Sequence, residues 1–344
     1  MTDLRGLMLA LAALICWSVS PFFFTNVGKR VGPFSTNLLR LALAFAFLVL
    51  LILARRALGW PHAAHALPTA SPPAALPGTA SWLWLTASGI VGLSIGDAFL
   101  YRAFVTLGPE RTSQIQTLAP AATAAIAWCF LKEYLTPGQA CGMALVLAGV
   151  YLAASGAARS KTALLAAEAR AEAVELALEP EQAVGGREKG TGGWWNRFFW
   201  RGPMAAVWSA LFQGLGTVLA RQAFLGQADL DPLSATTIRI GAGALALWAY
   251  ARTQGPIGVT LGAWTDRKVL RLLLAGTAFG PVAGMLCYIS AMKFAPAGIV
   301  TTITFMAPIL IIPAGARLYG TSITAPTWLG TALSVAGVAL LGLG

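Results

Sequence analysis

The sequence predicts an all-α integral membrane protein, ten transmembrane helices arranged as two inverted five-helix repeats, and three observations carry that prediction. First, 57% of the 344 residues are hydrophobic and 11% are charged, with a mean hydropathy of +0.70, whereas a soluble domain carries about 25% charged residues. Second, ten continuous apolar windows have the ~20 residues needed to cross a ~30 Å hydrocarbon core. They are 4–25, 33–54, 82–106, 111–131, 137–155, 203–224, 232–251, 269–292, 297–318 and 325–343. Third, the second half of the chain repeats the first. The windows lack the alternation of an outer-membrane barrel, and in lipid a helix satisfies its own backbone.

The repeat is in register over a long stretch. At an offset of 188 residues, Gly92 and Gly96 fall on Gly280 and Gly284, Ala119 and Pro120 on Ala307 and Pro308, Gly142 on Gly330, and Ala148, Gly149 and Val150 on Ala336, Gly337 and Val338. Upstream, an offset of 199 places Pro33, Ser35 and Arg40 of "GPFSTNLLR" on Pro232, Ser234 and Arg239 of "DPLSATTIR". The chain divides into a first repeat (1–155), a hydrophilic loop (156–202) and a second repeat (203–344). Five helices are an odd number, so the second copy enters the membrane from the opposite side. Inverted halves can exchange conformations around a midplane site, which is the physical basis of alternating access. Such an architecture suits the carriage of a small-molecule substrate across a lipid bilayer.

The elements read as follows. The first window contains a break at Pro21 and is too long for the apolar core of a cleavable signal, so it is retained as helix one. Residues 57–80 form a Pro/Ala-rich connector. His62 and His65 within it lack a helix and further ligands, so no metal site is expected. Gly92/Gly96 and Gly280/Gly284 have the spacing that lets helices approach closely, for packing or hinging. Helices five and ten are apolar and small-residue-rich, fitting scaffold positions. In the loop 156–202, Thr162 to Glu179 can form a helix, and "WWNRFFWR" suits an anchor at headgroup level.

Charges in the bilayer core cost about 2.5–3.5 kcal/mol each on insertion scales, so they face the bundle interior and take a partner. Asp97 in "GLSIGDAFLYRAF" and Arg40 lie at similar depth, displaced toward the same face, and are expected to pair. Arg102 sits close enough to its helix end to snorkel. The second copy keeps the arginine as Arg239 but has Met285 in place of Asp97. Two readings of Arg239 stand: it receives an anionic group, which its planar fork suits, or it binds helix-end carbonyls and water as a structural group. Asp97 is also a candidate proton carrier. A polar stripe of Ser113, Gln116, Pro120 and Thr123 on helix four recurs as Thr301, Thr304 and Pro308 on helix nine. A mid-helix proline frees a carbonyl that a cavity can satisfy, or merely bends the helix. Tyr101, Tyr288 and Gln213 are further candidates for the lining.

Other classes are disfavoured. Cys16, Cys129, Cys141 and Cys287 share no CxxC spacing, so neither a disulfide framework nor a zinc site is expected. The net charge of +11 is scattered over loops and helix ends, which membrane topology explains better than nucleic-acid binding. An intramembrane enzyme needs a nucleophile with a base or a metal-holding cluster, yet no histidine lies in a window and Asp97 is the single acid near a window centre. No cofactor is expected.

These features match a known family. The Arg early in helix two, "TLAPAATAAIAWCFLKEYLTPGQACGMALVLAGVYL" and "TFMAPILIIPAGARLYGTSITAPTWLGTALSVAGVALL" together resemble the EamA-type drug/metabolite transporters. The resemblance implies a ten-helix bundle in the cytoplasmic membrane, a central cavity between the halves, and export of small metabolites such as amino acids or organic anions. Translocation of nucleotide sugars, lipids or phosphorylated metabolites is the alternative within the superfamily. One departure stands out: many members carry Leu-Gly-Glu after helices four and nine, where this chain has Lys132 and Glu133 in one copy but Gly320 and Thr321 in the other. Lys and Arg are more numerous on the face of the long loop, which by the positive-inside rule puts both termini outside. The first five helices alone lean the other way, and the resemblance implies cytoplasmic termini, which is the expectation adopted.

Overall fold

The structure, a computed structural model, describes residues 3–58, 77–107, 112, 115–153, 155, 202–254, 266–307, 309–310 and 324–343. No strand occurs among the described residues. The expectations for His62, His65, Ser113, Pro308, the stretch Thr162 to Glu179, "WWNRFFWR" and the side chain of Tyr101 lie outside them.

In the first half, α1 is Leu4–Val31, α2 Pro33–Ala57, α3 Thr79–Gly89 and α4 Asp97–Leu107, with a π-helical segment Ile90–Gly96 joining α3 to α4. Leu118–Leu131 is α5 and Pro137–Ala153 is α6. In the second half, α7 is Gly202–Gly226, α8 Pro232–Gln254, α9 Arg267–Thr277 and α10 Met285–Ala291, the last two joined by a π-helical segment Ala278–Gly284. Ala297–Thr304 is α11 and Ala325–Leu343 is α12. Each of the ten apolar windows contains helix among the described residues. Among the described residues, four stretches are long and apolar enough to cross a membrane: Phe34–Ala57, Thr79–Leu100, Pro203–Gly226 and Arg267–Ala291. Large apolar side chains such as Leu50, Trp128 and Phe130 are exposed on the outside, as a lipid-facing surface requires.

Two local expectations need correction, and a third, the close packing of the paired glycines, gains a local detail. Helix α1 does not break at Pro21 but runs on to Val31. Proline has no N–H for the Trp17 carbonyl four residues back, and the Ser20 hydroxyl donates to that oxygen at 3.5 Å. The chain then turns through Gly32, whose φ of 83° is costly for a residue with a Cβ, into Pro33 at the first position of α2. Second, the paired glycines at 92/96 and 280/284 lie in π segments rather than regular α-helix. The two segments are displaced by the same 188 residues that relate the sequence copies. Third, Pro120 is not mid-helix. It occupies the first turn of α5, after a turn at Thr117, where its missing N–H has no intrahelical partner to lose.

Packing is reciprocal between the halves. The α3–α4 rod and α5 pack on α7, while the α9–α10 rod and α11 pack on α1. Gly92 lies against Gly216 and Gly96 against Gln213, and on the other side Gly280 lies against Ser20 and Gly284 against Trp17. Helices α6 and α12 meet through glycine. A Cβ added at Gly142 would stand 2.7 Å from the Gly337 carbonyl oxygen, and one at Gly337 2.6 Å from that of Gly142. Gly149 faces Gly330 in the same way, so the two helices run antiparallel.

One polar contact fixes the start of α8. Arg55 donates through both terminal nitrogens to Asp231 at 3.2 and 3.0 Å, while Asp231 Oδ2 accepts from the N–H and hydroxyl of Ser234 at 3.1 and 2.8 Å. Burial opposes the charge on Asp231, but the Arg55 and Ser234 hydrogen bonds outweigh it and hold the carboxyl below its ordinary value. A carboxylate depressed in the fold stabilises fully above its unfolded pKa and loses that contribution as pH falls through the folded one. Asp231→Ala is therefore expected to cost about 3–5 kcal/mol at neutral pH, read as thermal unfolding of purified protein in detergent. The gap from wild type should close as the solution is acidified below the ordinary carboxylate range.

Candidate functional site

A cavity of about 350 Å³ lies between the halves, walled by residues of both. Its first corner is polar. Asp97 follows the π segment directly as the first residue of α4, and its Oδ2 accepts from Arg40 Nη2 at 2.5 Å. Arg40 Nε donates to Asn37 Oδ1 at 2.7 Å, one helical turn earlier on α2. The second oxygen of Asp97 accepts from Gln213 Nε2 at 3.4 Å. Gln213 and Gln116 both donate to the Ser209 hydroxyl, at 3.1 and 2.7 Å. The expected Arg40–Asp97 pair is thus present, and Arg102 is exposed.

The second corner is aromatic. Arg239 of α8 is 3% exposed, and its Nε and Nη1 are buried without a hydrogen-bond partner. Its guanidinium carbon lies 6.0 Å from the centre of the Tyr288 ring, within cation–π range. The Tyr288 hydroxyl shares hydrogen bonds with Thr217 at 2.7 Å and Thr301 at 3.3 Å, and its ring stands 4.9 Å from that of Trp17. Gly92 admits the Arg239 head, since a Cβ there would stand 3.2 Å from Nη2.

Of the residues singled out in the sequence, Arg40, Asp97, Gln116, Arg239, Tyr288, Thr301 and Thr304 line the cavity, as do Gly92 and Gly280. Thr123 does not. Its hydroxyl donates to Ala119 O at 2.8 Å and its backbone meets Gly214 of α7. Buried Pro120, Gly96 and Gly284 likewise stand off the described wall. Trp17, Ser20, Thr217 and Pro281 line the cavity without having been singled out as lining. Pro281 and Ser20 carried a signal, a proline one residue from a repeat glycine and a serine before Pro21, whereas Trp17 and Thr217 had none. The four cysteines are free.

Glu133 lies at a junction outside this cavity. Lys132 adopts the left-handed conformation, φ 55°, which ends α5 and swings Glu133 toward the second half. There Glu133 Oε1 accepts from Arg221 Nε at 2.6 Å and Oε2 accepts from the Ala297 N–H at 3.1 Å, at the start of α11. Arg221 Nη1 also donates to the Met292 carbonyl.

Two halves with matching crossings and a cavity between them have a counterpart among known families. The model described as "EamA-like transporter family" matches residues 4–155 and again 200–343. The chain belongs to the EamA-like transporter family. It is thus a multi-pass membrane transporter of the drug/metabolite superfamily. A solved structure titled only "Crystal structure of protein" is 16% identical, with a TM-score of 0.66 over 99% of this chain and 98% of that one, a likeness of fold. A comparison with curated proteins found no match.

The Arg40–Asp97 pair is nearly buried, so removing one partner leaves an uncompensated charge. Asp97→Asn is expected to cost about 3–5 kcal/mol. Combining it with Arg40→Gln should cost less than the sum of the single changes, measured as a double-mutant cycle of unfolding in detergent.

Proposed function

We propose that this EamA-family protein is a secondary transporter that exports small metabolites, such as amino acids or organic anions, by alternating access through the cavity between its halves. The observation that carries this reading is the reciprocity of the packing. Equivalent helices α6 and α12 meet antiparallel, with Gly142 against Gly337 and Gly149 against Gly330. A contact of that kind is expected of a two-fold axis in the membrane plane, and so it supports ten membrane crossings in two inverted repeats. Each third rod carries its π segment at the same place in the repeat, beside the cavity, and such segments recur at functional sites.

On this reading the cavity is closed at one end. Arg55–Asp231, Glu133–Arg221 and the acceptor Gln227 Oε1, which receives Gly78 N–H and Ser81 Oγ–H at 2.9 and 3.0 Å, all join the halves at the face of the termini. The opposite face carries the exposed pair Arg30–Asp266 at 3.3 Å. A cavity of about 350 Å³ is at the small end of the ~300–1,000 Å³ of small-molecule sites, which favours metabolite-sized cargo over nucleotide sugars or lipids.

The test is counterflow in proteoliposomes. Vesicles preloaded with a mixture of amino acids and organic acids are expected to show saturable, trans-stimulated uptake of at least one of them. Rates equal to those of protein-free vesicles would overturn the reading. In cells the membrane is expected to be the cytoplasmic one with both termini inside, so a reporter fused to the C-terminus should be active in the cytoplasm. Glu133→Gln should slow counterflow more than it weakens equilibrium binding, since the pair closes the cavity without lining it.

A further inference from the structure

Two side chains that wall the cavity have buried polar atoms without a hydrogen-bond partner, and these specify a ligand more narrowly than the transport reading on which this inference rests. Three charged side chains line the cavity among the described residues: Arg40, Asp97 and Arg239. Arg40 and Asp97 neutralise each other, which leaves the described wall a single positive charge, on Arg239. Its Nε and Nη1 have no acceptor, and the Tyr288 face attracts the cation without supplying one. Planar and fork-shaped, the guanidinium matches a carboxylate through two parallel hydrogen bonds. Nearby hydroxyls do not compete for that anion, because Thr217, Thr301 and Thr304 donate to carbonyls of their own helices.

Gln116 lines the same cavity. It is 6% exposed, its Nε2 is engaged by Ser209, and its Oε1 has no partner. An amide oxygen only accepts, so the ligand must bring a donor. That donor is uncharged by the following argument. An ammonium is matched best by an uncompensated carboxylate, and the charge of Asp97, the one acid lining the described wall, is already neutralised by Arg40. A zwitterion would also leave the cavity with its unmatched positive charge. A phosphomonoester, at about −1.5 to −2 near neutral pH, overshoots it.

We propose that the cavity binds a small monoanion with a carboxylate on Arg239, a neutral hydroxyl or amide N–H on Gln116 Oε1, and an apolar body against Trp17 and Tyr288. Hydroxy acids fit this description and zwitterionic amino acids do not.

The experiment uses wild-type full-length protein in detergent and four probes on one phenyl skeleton: 3-phenyllactate, 3-phenylpropionate, phenylalanine and phenethylamine, titrated by calorimetry. Phenyllactate is expected to bind tightest. Phenylpropionate should be about tenfold weaker for want of the donor to a buried acceptor, phenylalanine weaker again, and phenethylamine without measurable heat. Gln116→Leu should erase the difference between the first two probes. Arg239→Lys, which keeps the charge and loses the fork, should weaken both by roughly tenfold or more. Phenylalanine or phenethylamine binding as tightly as phenyllactate overturns the monoanion assignment, as does an unchanged ranking in either variant or no binding by any of the four. The counterflow assay on the same preparation separates the two readings. If vesicles exchange solute while the ranking fails, transport stands and the monoanion assignment falls. If the ranking holds in vesicles that exchange nothing, the site stands and transport falls.

Discussion

The cavity depends on close contact between each third rod and the first helix of the other half, backbone on backbone at Gly92 and glycine on side chain at Gly280. Lipid tails are as apolar as leucine, so pressing two helices together inside a bilayer gains little from the hydrophobic effect and must rely on close packing. Small residues permit that approach where Gly92 meets Gly216 and where Gly280 meets Ser20. At these crossings each rod widens into a π segment. Every α-helical residue advances about 100° around the axis, so the added residue in a wide turn resets the direction of all side chains beyond it. Asp97 and Met285 are the first residues after the two segments. The same local device therefore aims both positions, and what differs is the chemistry placed there.

That difference organises the charges. Scaffold positions are matched between halves, with the glycines, the crossings and the arginine each present once per half. The groups around each arginine are not matched. Arg40 has Asp97, Asn37 and, through Asp97, Gln213, besides the Phe24 ring at 5.9 Å. Arg239 has Tyr288 and, beyond it, Trp17. Gln213 and Trp17 face equivalent repeat glycines, so a polar amide stands on one side where an indole stands on the other. A ligand can shift a conformational equilibrium only through a difference in its interaction with the two states. Under the alternating-access reading proposed above, a symmetric scaffold would keep two states close in energy, and an asymmetric lining would let a ligand tell them apart.

Much of this was legible because membranes penalise ambiguity. Ten apolar windows and the 188-residue repeat are readable since lipid leaves helices as the way to satisfy the backbone. Pairing of Arg40 with Asp97 followed from the cost of isolated charge at that depth. The π segments were not legible, because Gly92 and Gly96 present the same spacing whether the turn is α or π. Pro120 was read as mid-helix because apolar character continues unbroken across Thr117, and hydropathy does not record a turn. Trp17 escaped because its partner across the repeat is Gln213, a different residue type at a register between those of the two aligned blocks. Glu133 was visible as a departure from the family pattern, but its partners Arg221 and Ala297 lie in the other half and only folding brings them near.

Glu133 also bears on how a carrier can both close and reopen. A face sealed by apolar side chains alone would gain stability with every buried methylene, about 0.8 kcal/mol each, and opening would have to overcome the sum. A buried ion pair behaves differently. The attraction between Glu133 and Arg221 is set against the hydration both lose on closing, and for such pairs the two nearly balance. The junction at Ala297 adds direction, because Glu133 reaches the amide only when α11 of the second half has come to rest against α5 of the first. Under the alternating-access reading proposed above, closure would be specific in geometry while remaining small in free energy. That combination would let cargo binding within the cavity, about 4–8 kcal/mol for millimolar to micromolar solutes, decide which face is open.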